Sequence, residues 1–171
     1  MEVHGGRTHS AVLVPLFTDD RGRFHAVFTK RRDDLKRHPG EISFPGGRRD
    51  PEDADLMTTA LREAHEEIGL PPEAVEVVGA LPPTPTFVTN YAVYPFVGLI
   101  EPGFAWAVAD AEVAQILELP LAAVRAGYAR RPMVRRGMPF RTDTYVVGED
   151  VIWGATARIV ADLLERVPTD A

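Results

Sequence analysis

A chain of 171 residues, 45% hydrophobic and carrying a net charge of −6, is long enough to bury a sizeable core and too acidic for general nucleic-acid binding. It has no cysteine, which excludes disulfides, zinc–thiolate sites and thiol catalysis. The opening MEVHGGRTHS lacks an apolar leader core and no apolar run approaches a membrane span, so the expectation is a soluble cytoplasmic protein, one domain over residues 1–171. In chain order, Ala11 to Phe17 reads as a buried strand despite Pro15. A turn at Asp19-Asp20-Arg21-Gly22 leads to a second strand, Phe24 to Thr29, and so to a hairpin. A helix follows the Gly46-Gly47 turn and an acidic loop; Asp53 or Asp55 caps its start, and Gly69 before Pro71-Pro72 ends it. On that helix Met57, Leu61, Ala64 and Ile68 share one stripe, expected to face the core. Glu73 to Leu81 reads as a strand, Pro82 to Asn90 as a proline-rich loop and Tyr91 to Ile100 as a strong strand. Asp110 to Leu119 reads as a short helix capped by Asp110, Phe140 to Val147 as a strand, and Gly154 to Val167 as an amphipathic helix with Ile159, Leu163 and Val167 inward. There is no internal repeat or linker.

The chemistry concentrates on the first helix. Glu63 and Glu67 are spaced i,i+4, so their carboxylates meet one turn apart, with Glu66 beside them. Like charges at that spacing repel, and the last helical turn prefers cations. A divalent cation turns both penalties into attraction, and hard carboxylate oxygens suit Mg2+ or Mn2+. The cluster taken alone is more simply read as an acidic, solvated face with an Arg62–Glu66 pair. Upstream, Lys30, Arg31, Arg32, Lys36, Arg37 and His38 form a basic stretch that either grips phosphate or is a solvated loop partly neutralised by Asp33 and Asp34. Phe87 is a candidate wall for a substrate arm. Glu112 can supply a late acid, although a first-turn glutamate favoured by the helix dipole accounts for it more simply. His4, His9, His25 and His65 have no Ser or Asp partner visible by spacing, so a triad has no support.

The stretch Arg62-Glu63-Ala64-His65-Glu66-Glu67-Ile68-Gly69-Leu70 after Gly46-Gly47 resembles the Nudix hydrolase box, G-x5-E-x7-R-E-U-x-E-E-x-G-U. Its five fixed positions would coincide by chance at one site on the order of one time in a million. The loop before Arg62 is one residue longer than the generic box, and Asp53 or Asp55 stands for the mid-box glutamate. Thr29, Arg31, Gly40 and Phe44-Pro45-Gly46-Gly47 also resemble the additional motif of coenzyme A pyrophosphatases, L-L-T-x-R-S-x3-R-x3-G-x3-F-P-G-G, with Arg32 for its serine and Lys36 for its second arginine. Ile152-Trp153-Gly154-Ala155-Thr156 is similar to that subfamily's closing segment.

The resemblance implies an α/β/α sandwich with a mixed sheet and metal-dependent hydrolysis of coenzyme A or a derivative to 3′,5′-ADP and 4′-phosphopantetheine. Glu63, Glu66 and Glu67 would bind Mg2+ or Mn2+ near a Gly46 or Gly47 carbonyl. Arg62 would orient the glutamates, and Arg31 and Lys36 would contact phosphate. The alternatives are a Nudix pyrophosphatase for ADP-ribose, a dinucleoside polyphosphate or an oxidised nucleotide, and a non-catalytic nucleotide-binding regulatory domain. The superfamily resemblance alone is also compatible with a homodimer.

Overall fold

The computed structural model describes residues 8–36, 39–85, 91–109 and 111–169. β1 (Thr8–Thr18) and β2 (Phe24–Arg31) form the expected antiparallel hairpin, with Leu16 opposite Ala26 and Thr18 opposite Phe24. Asp19 closes its turn by accepting from the backbone N–H of Arg21 at 2.9 Å and of Arg23 at 3.0 Å. Beyond the turn the two strands part. β3 (Ile42–Ser43) pairs with β2 and β4 (Gly46–Arg48) with β1, so the stretch carrying Gly46-Gly47 wedges into the fork. The Leu13 N–H points into that fork and donates to Pro45 O at 2.9 Å. Pro15 faces the same way, between the stretches of β1 paired with β4 and with β2, where its missing N–H takes nothing from the ladder.

Along its other edge β1 runs parallel to β7 (Tyr91–Leu99), from Thr8 opposite Tyr91 to Leu16 opposite Leu99. β5 (Glu76–Ala80) and β6 (Thr84–Pro85) add antiparallel to β7, and β8 (Val113–Pro120) adds antiparallel to β2. The sheet is therefore mixed. Successive β1 residues alternate between its faces. Ala11, Leu13 and Phe17 meet Ala60, Ala64 and Ile68 of α1 (Leu56–Ile68). Val14 and Leu16 share a second core with Ile159, Val160 and Leu163 of α3 (Gly154–Leu164) and with Leu121 and Val124 of α2 (Leu121–Ala126). A smaller antiparallel sheet of β9 (Tyr128–Arg135), β10 (Met138–Val147) and β11 (Asp150–Ile152) lies beside α3. The α/β/α sandwich with a mixed sheet is as the sequence led us to expect.

Several local expectations need correction. The helix expected over 110–119 is absent: 113–120 is strand β8. Ile116 packs with the α1 core while Leu117 is buried in the α3 core, and only a strand sends neighbours to opposite faces. The open edge of β2 supplies the backbone partners, and tertiary pairing overrides the ambiguous period. On α1 the buried stripe is Ala60, Ala64 and Ile68, whereas Met57 is exposed, so the stripe is rotated from the expected one. A 3-10 turn over Pro72–Ala74 delays β5 to Glu76, and α3 stops at Leu164, short of Val167. Thr84–Pro85 forms a short strand inside the expected loop. Arg37, His38, Phe87 and Asp110 lie outside the described residues. Among those described, no helix is long and apolar enough to cross a membrane.

Candidate catalytic site

α1 is fixed at both ends. Asp55 caps its start by accepting from the Thr58 N–H at 2.7 Å, and Gly69, at φ 73°, turns the chain out at its end. Two residues before the cap, the Asp53 carboxylate is buried, 5% exposed. It takes a two-pronged ion pair from Arg62, Nε to Oδ1 at 2.9 Å and Nη2 to Oδ2 at 3.0 Å. The Thr59 hydroxyl at 2.8 Å and the Asp50 N–H at 2.9 Å also donate to it. The Arg62 guanidinium, foremost among these donors, holds the Asp53 carboxyl far below the usual carboxylate range. Asp53, one of the two acids that can stand for the mid-box glutamate, thus anchors an arginine.

Arg62 spends its remaining donors on the helix glutamates. Nη1 reaches Glu63 Oε1 at 3.1 Å and Glu66 Oε2 at 3.2 Å, and Nη2 reaches Arg48 O at 3.2 Å. Glu66 is on the solvent side of this fan, its side chain 59% exposed, while Glu63 and Glu67 turn inward beneath the wedge. The Gly-Gly pair is needed there. A Cβ on Gly47 would come within 2.6 Å of Glu63 Cδ, and one on Gly46 within 2.3 Å of Ala11 O.

Burial pushes the Glu67 carboxyl up to about 8, and the neighbouring Glu63 charge adds to the rise. A hydrogen bond from the Gly46 N–H opposes it; Glu112 raises the value further and Arg31 lowers it. Glu63 is also raised by burial, with Arg62 opposing. The chain therefore holds two adjacent, partly buried carboxylates with too little positive charge to keep both ionised. A divalent cation supplies what is missing, so the donor set fits Mg2+ or Mn2+. Among the described residues no three acids or histidines converge as a ready cage, because Glu66 faces Arg62.

Arg31 projects from the end of β2 on this side, its Nη1 3.9 Å from Glu112 Oε2. The Arg32 N–H donates to Glu112 O at 3.0 Å and ties that residue to the strand end. Glu112 stands just before a strand, so the first-turn helix account of it fails; the pairing of β8 with β2 brings it here. Nothing in its local sequence announces that. Arg32 turns aside to Asp34, Nε to Oδ1 at 3.0 Å. Lys36 is exposed on the loop after β2, and no described contact joins it to the glutamates.

The NUDIX domain family matches residues 7–136. The chain belongs to the Nudix family. A relative from Enterobacter sp. (strain 638), named uncharacterized Nudix hydrolase NudL, is 40% identical over 163 residues, which cover 94% of this chain and 83% of the relative. Among solved structures, a MutT/nudix family protein from Enterococcus faecalis aligns with a TM-score of 0.65 at 13% identity, over 98% of this chain and 64% of that one. The NUDIX domain of Shewanella oneidensis NrtR, complexed with ADP ribose, aligns at 0.64 with 16% identity, over 96% of this chain and 91% of that one. These structural likenesses establish the Nudix fold, and the family and the NudL relative establish a Nudix hydrolase. Nudix hydrolases generally work with divalent cations such as Mg2+ or Mn2+.

Proposed function

We propose that this Nudix hydrolase cleaves the diphosphate of coenzyme A or a derivative, giving 3′,5′-ADP and 4′-phosphopantetheine. The observation that carries the reading is Arg31. It belongs to the Thr29–Gly47 stretch that resembles the coenzyme A pyrophosphatase motif, and its charge acts directly on Glu67. Arg31 is the first choice for a phosphate contact and Lys36 the second. Glu63 and Glu67 would hold the cation, and Glu66, one helical turn above Arg62, would be the third carboxylate of the set. A divalent ion bound there neutralises diphosphate charge and acidifies a nearby water. The water oxygen attacks phosphorus, the bridging P–O bond breaks, and a carboxylate, Glu67 or Glu112, takes the water proton. Arg62, locked by Asp53, positions Glu63 and does not touch substrate. Residues 1–171 act as one cytoplasmic domain in this reading.

ADP-ribose, the ligand of the structurally similar NrtR domain, is the main alternative substrate. A purely binding role is disfavoured because Arg62 and all three glutamates are present. The test is a product assay with Mg2+ or Mn2+ over coenzyme A, ADP-ribose, NADH, diadenosine polyphosphates and 8-oxo-dGTP. The expected result is release of 3′,5′-ADP from coenzyme A well above the other rates, lost mainly through a higher KM in Arg31→Ala. Equal activity of that variant on coenzyme A would remove Arg31 from phosphate binding.

A further inference from the structure

Behind the end of β2, on the face turned away from α1, lies a cavity of 370 Å³. Lys30 of β2 and Ile42 of β3 form one wall, and Arg131 and Met133 of β9, Asp150 of β11 and Trp153 form another. Lys30 lines the cavity, whereas the charge of its neighbour Arg31 acts on Glu67, so the two part to opposite sides where the β2–β8 ladder is irregular. Cavity and carboxylate pair therefore lie back to back across one strand end. The NUDIX match stops at residue 136, so β10, β11 and Trp153 enclose the cavity from beyond the matched segment.

The lining selects among ligands. Lys30 and Arg131 are balanced by Glu149 and Asp150, and Lys30 Nζ is already 3.0 Å from Asp150 Oδ1. Among the described lining residues the charges balance, which gives a phosphate group no electrostatic preference. The Trp153 indole, with Met133 and Ile42, offers apolar surface for a flat ring, and the paired charges offer donors and acceptors at its rim. A volume of this size lies within the range of small-molecule sites and has room for a purine ring.

We propose that this cavity receives the purine ring of the substrate, which reaches over the end of β2 so that its diphosphate lies at Arg31 and the glutamate pair. The proposal rests on the hydrolytic reading above and makes the three-stranded sheet the element that selects the nucleoside. It is tested on the whole protein labelled with 5-fluorotryptophan. The chain has two tryptophans, Trp106 and Trp153, and Trp153→Phe assigns their fluorine lines.

Adenosine, pantetheine and inorganic phosphate are titrated separately. The expected result is a shift of the Trp153 line with adenosine alone, weakened roughly tenfold in Val134→Phe, which crowds the cavity from an exposed position. The same variant then raises KM for a purine-containing diphosphate by a similar factor. An unmoved Trp153 line, or a shift only with pantetheine or phosphate, would overturn the proposal even where hydrolysis proceeds. A shift with adenosine in a protein that hydrolyses no diphosphate would overturn the hydrolytic reading and leave the cavity a purine receptor.

Discussion

Two carboxylates on either side of Arg62 have opposite fates. Asp53, in the loop before α1, is buried among donors: a guanidinium, a hydroxyl and an amide N–H satisfy it, and it remains ionised. Glu67, in the last turn of the same helix, is partly buried beside another glutamate, with one backbone N–H and a more distant Arg31, and it resists ionisation. The difference separates a charge the fold completes for itself from one it leaves for the proposed cation to complete. A carboxylate serving structure has its partners built in, whereas one serving chemistry is left under-compensated.

The sharpest way to break this contrast is to neutralise each acid in turn. Glu67→Gln is expected to lower kcat by roughly 10²–10⁴-fold, the range for losing a general base or an ion ligand, while the metal-free protein melts no lower at pH 8. Steady-state kinetics and calorimetry on the same preparation check both halves; intact hydrolysis would remove Glu67 from the site. Asp53→Asn should do the reverse. It leaves a half-buried guanidinium without its main partner and costs about 1–3 kcal/mol in denaturant unfolding, with activity falling as Arg62 releases Glu63. Gly47→Ala is a smaller perturbation. Its methyl meets the far end of the flexible Glu63 side chain, so the fold should persist while Mn2+ affinity, read by titration calorimetry, drops about tenfold.

The smallest effect is a slope with pH. The Glu67 carboxyl titrates near 8 in the folded chain and near 4.5 when unfolded. Between those values the folded state holds the extra proton, so metal-free stability falls as pH rises through the window. Asp53 works in the other direction: its stabilisation is complete above the usual carboxylate range and is lost on acidification below it. Melting temperatures of the metal-free protein should decline from pH 5 to pH 8, less steeply in Glu67→Gln. Saturating Mn2+ should flatten or reverse the decline, because the ion favours the deprotonated pair.

How much of this was legible depended on whether partners were local. The β1–β2 hairpin was readable from a β-branched run, an Asp-Arg-Gly turn and a second run. The caps of α1 and the Glu63–Glu67 spacing were readable because each involves residues within a turn or two. The wedge was not, since β3 and β4 are short and the glycines of β4 pair only once β1 and β2 have parted. Strand β8 was misread because Val113 and Leu117 fit a helical spacing as well as a strand's, and the open edge of β2 decided between them. That misreading also obscured Glu112. β9 was missed because Arg130 and Arg131 interrupt its apolar pattern. The two-pronged Asp53–Arg62 pair joins a loop to a helix, and sequence spacing has no rule for that.

The fork between β1 and β2 also orders events in time. The hairpin needs only residues close in the chain, the wedge joins Ser10 to Arg48, and β7 closes a longer loop still, pairing residue 8 with residue 91. Local pairings close before distant ones because shorter loops lose less entropy. The glutamate pair is covered only when Gly46-Gly47 has entered the fork, so on loop length it forms after the hairpin and ahead of the pairing with β7. In refolding, the hairpin's strand signal will return before ion binding does, and a bound ion reports a filled fork.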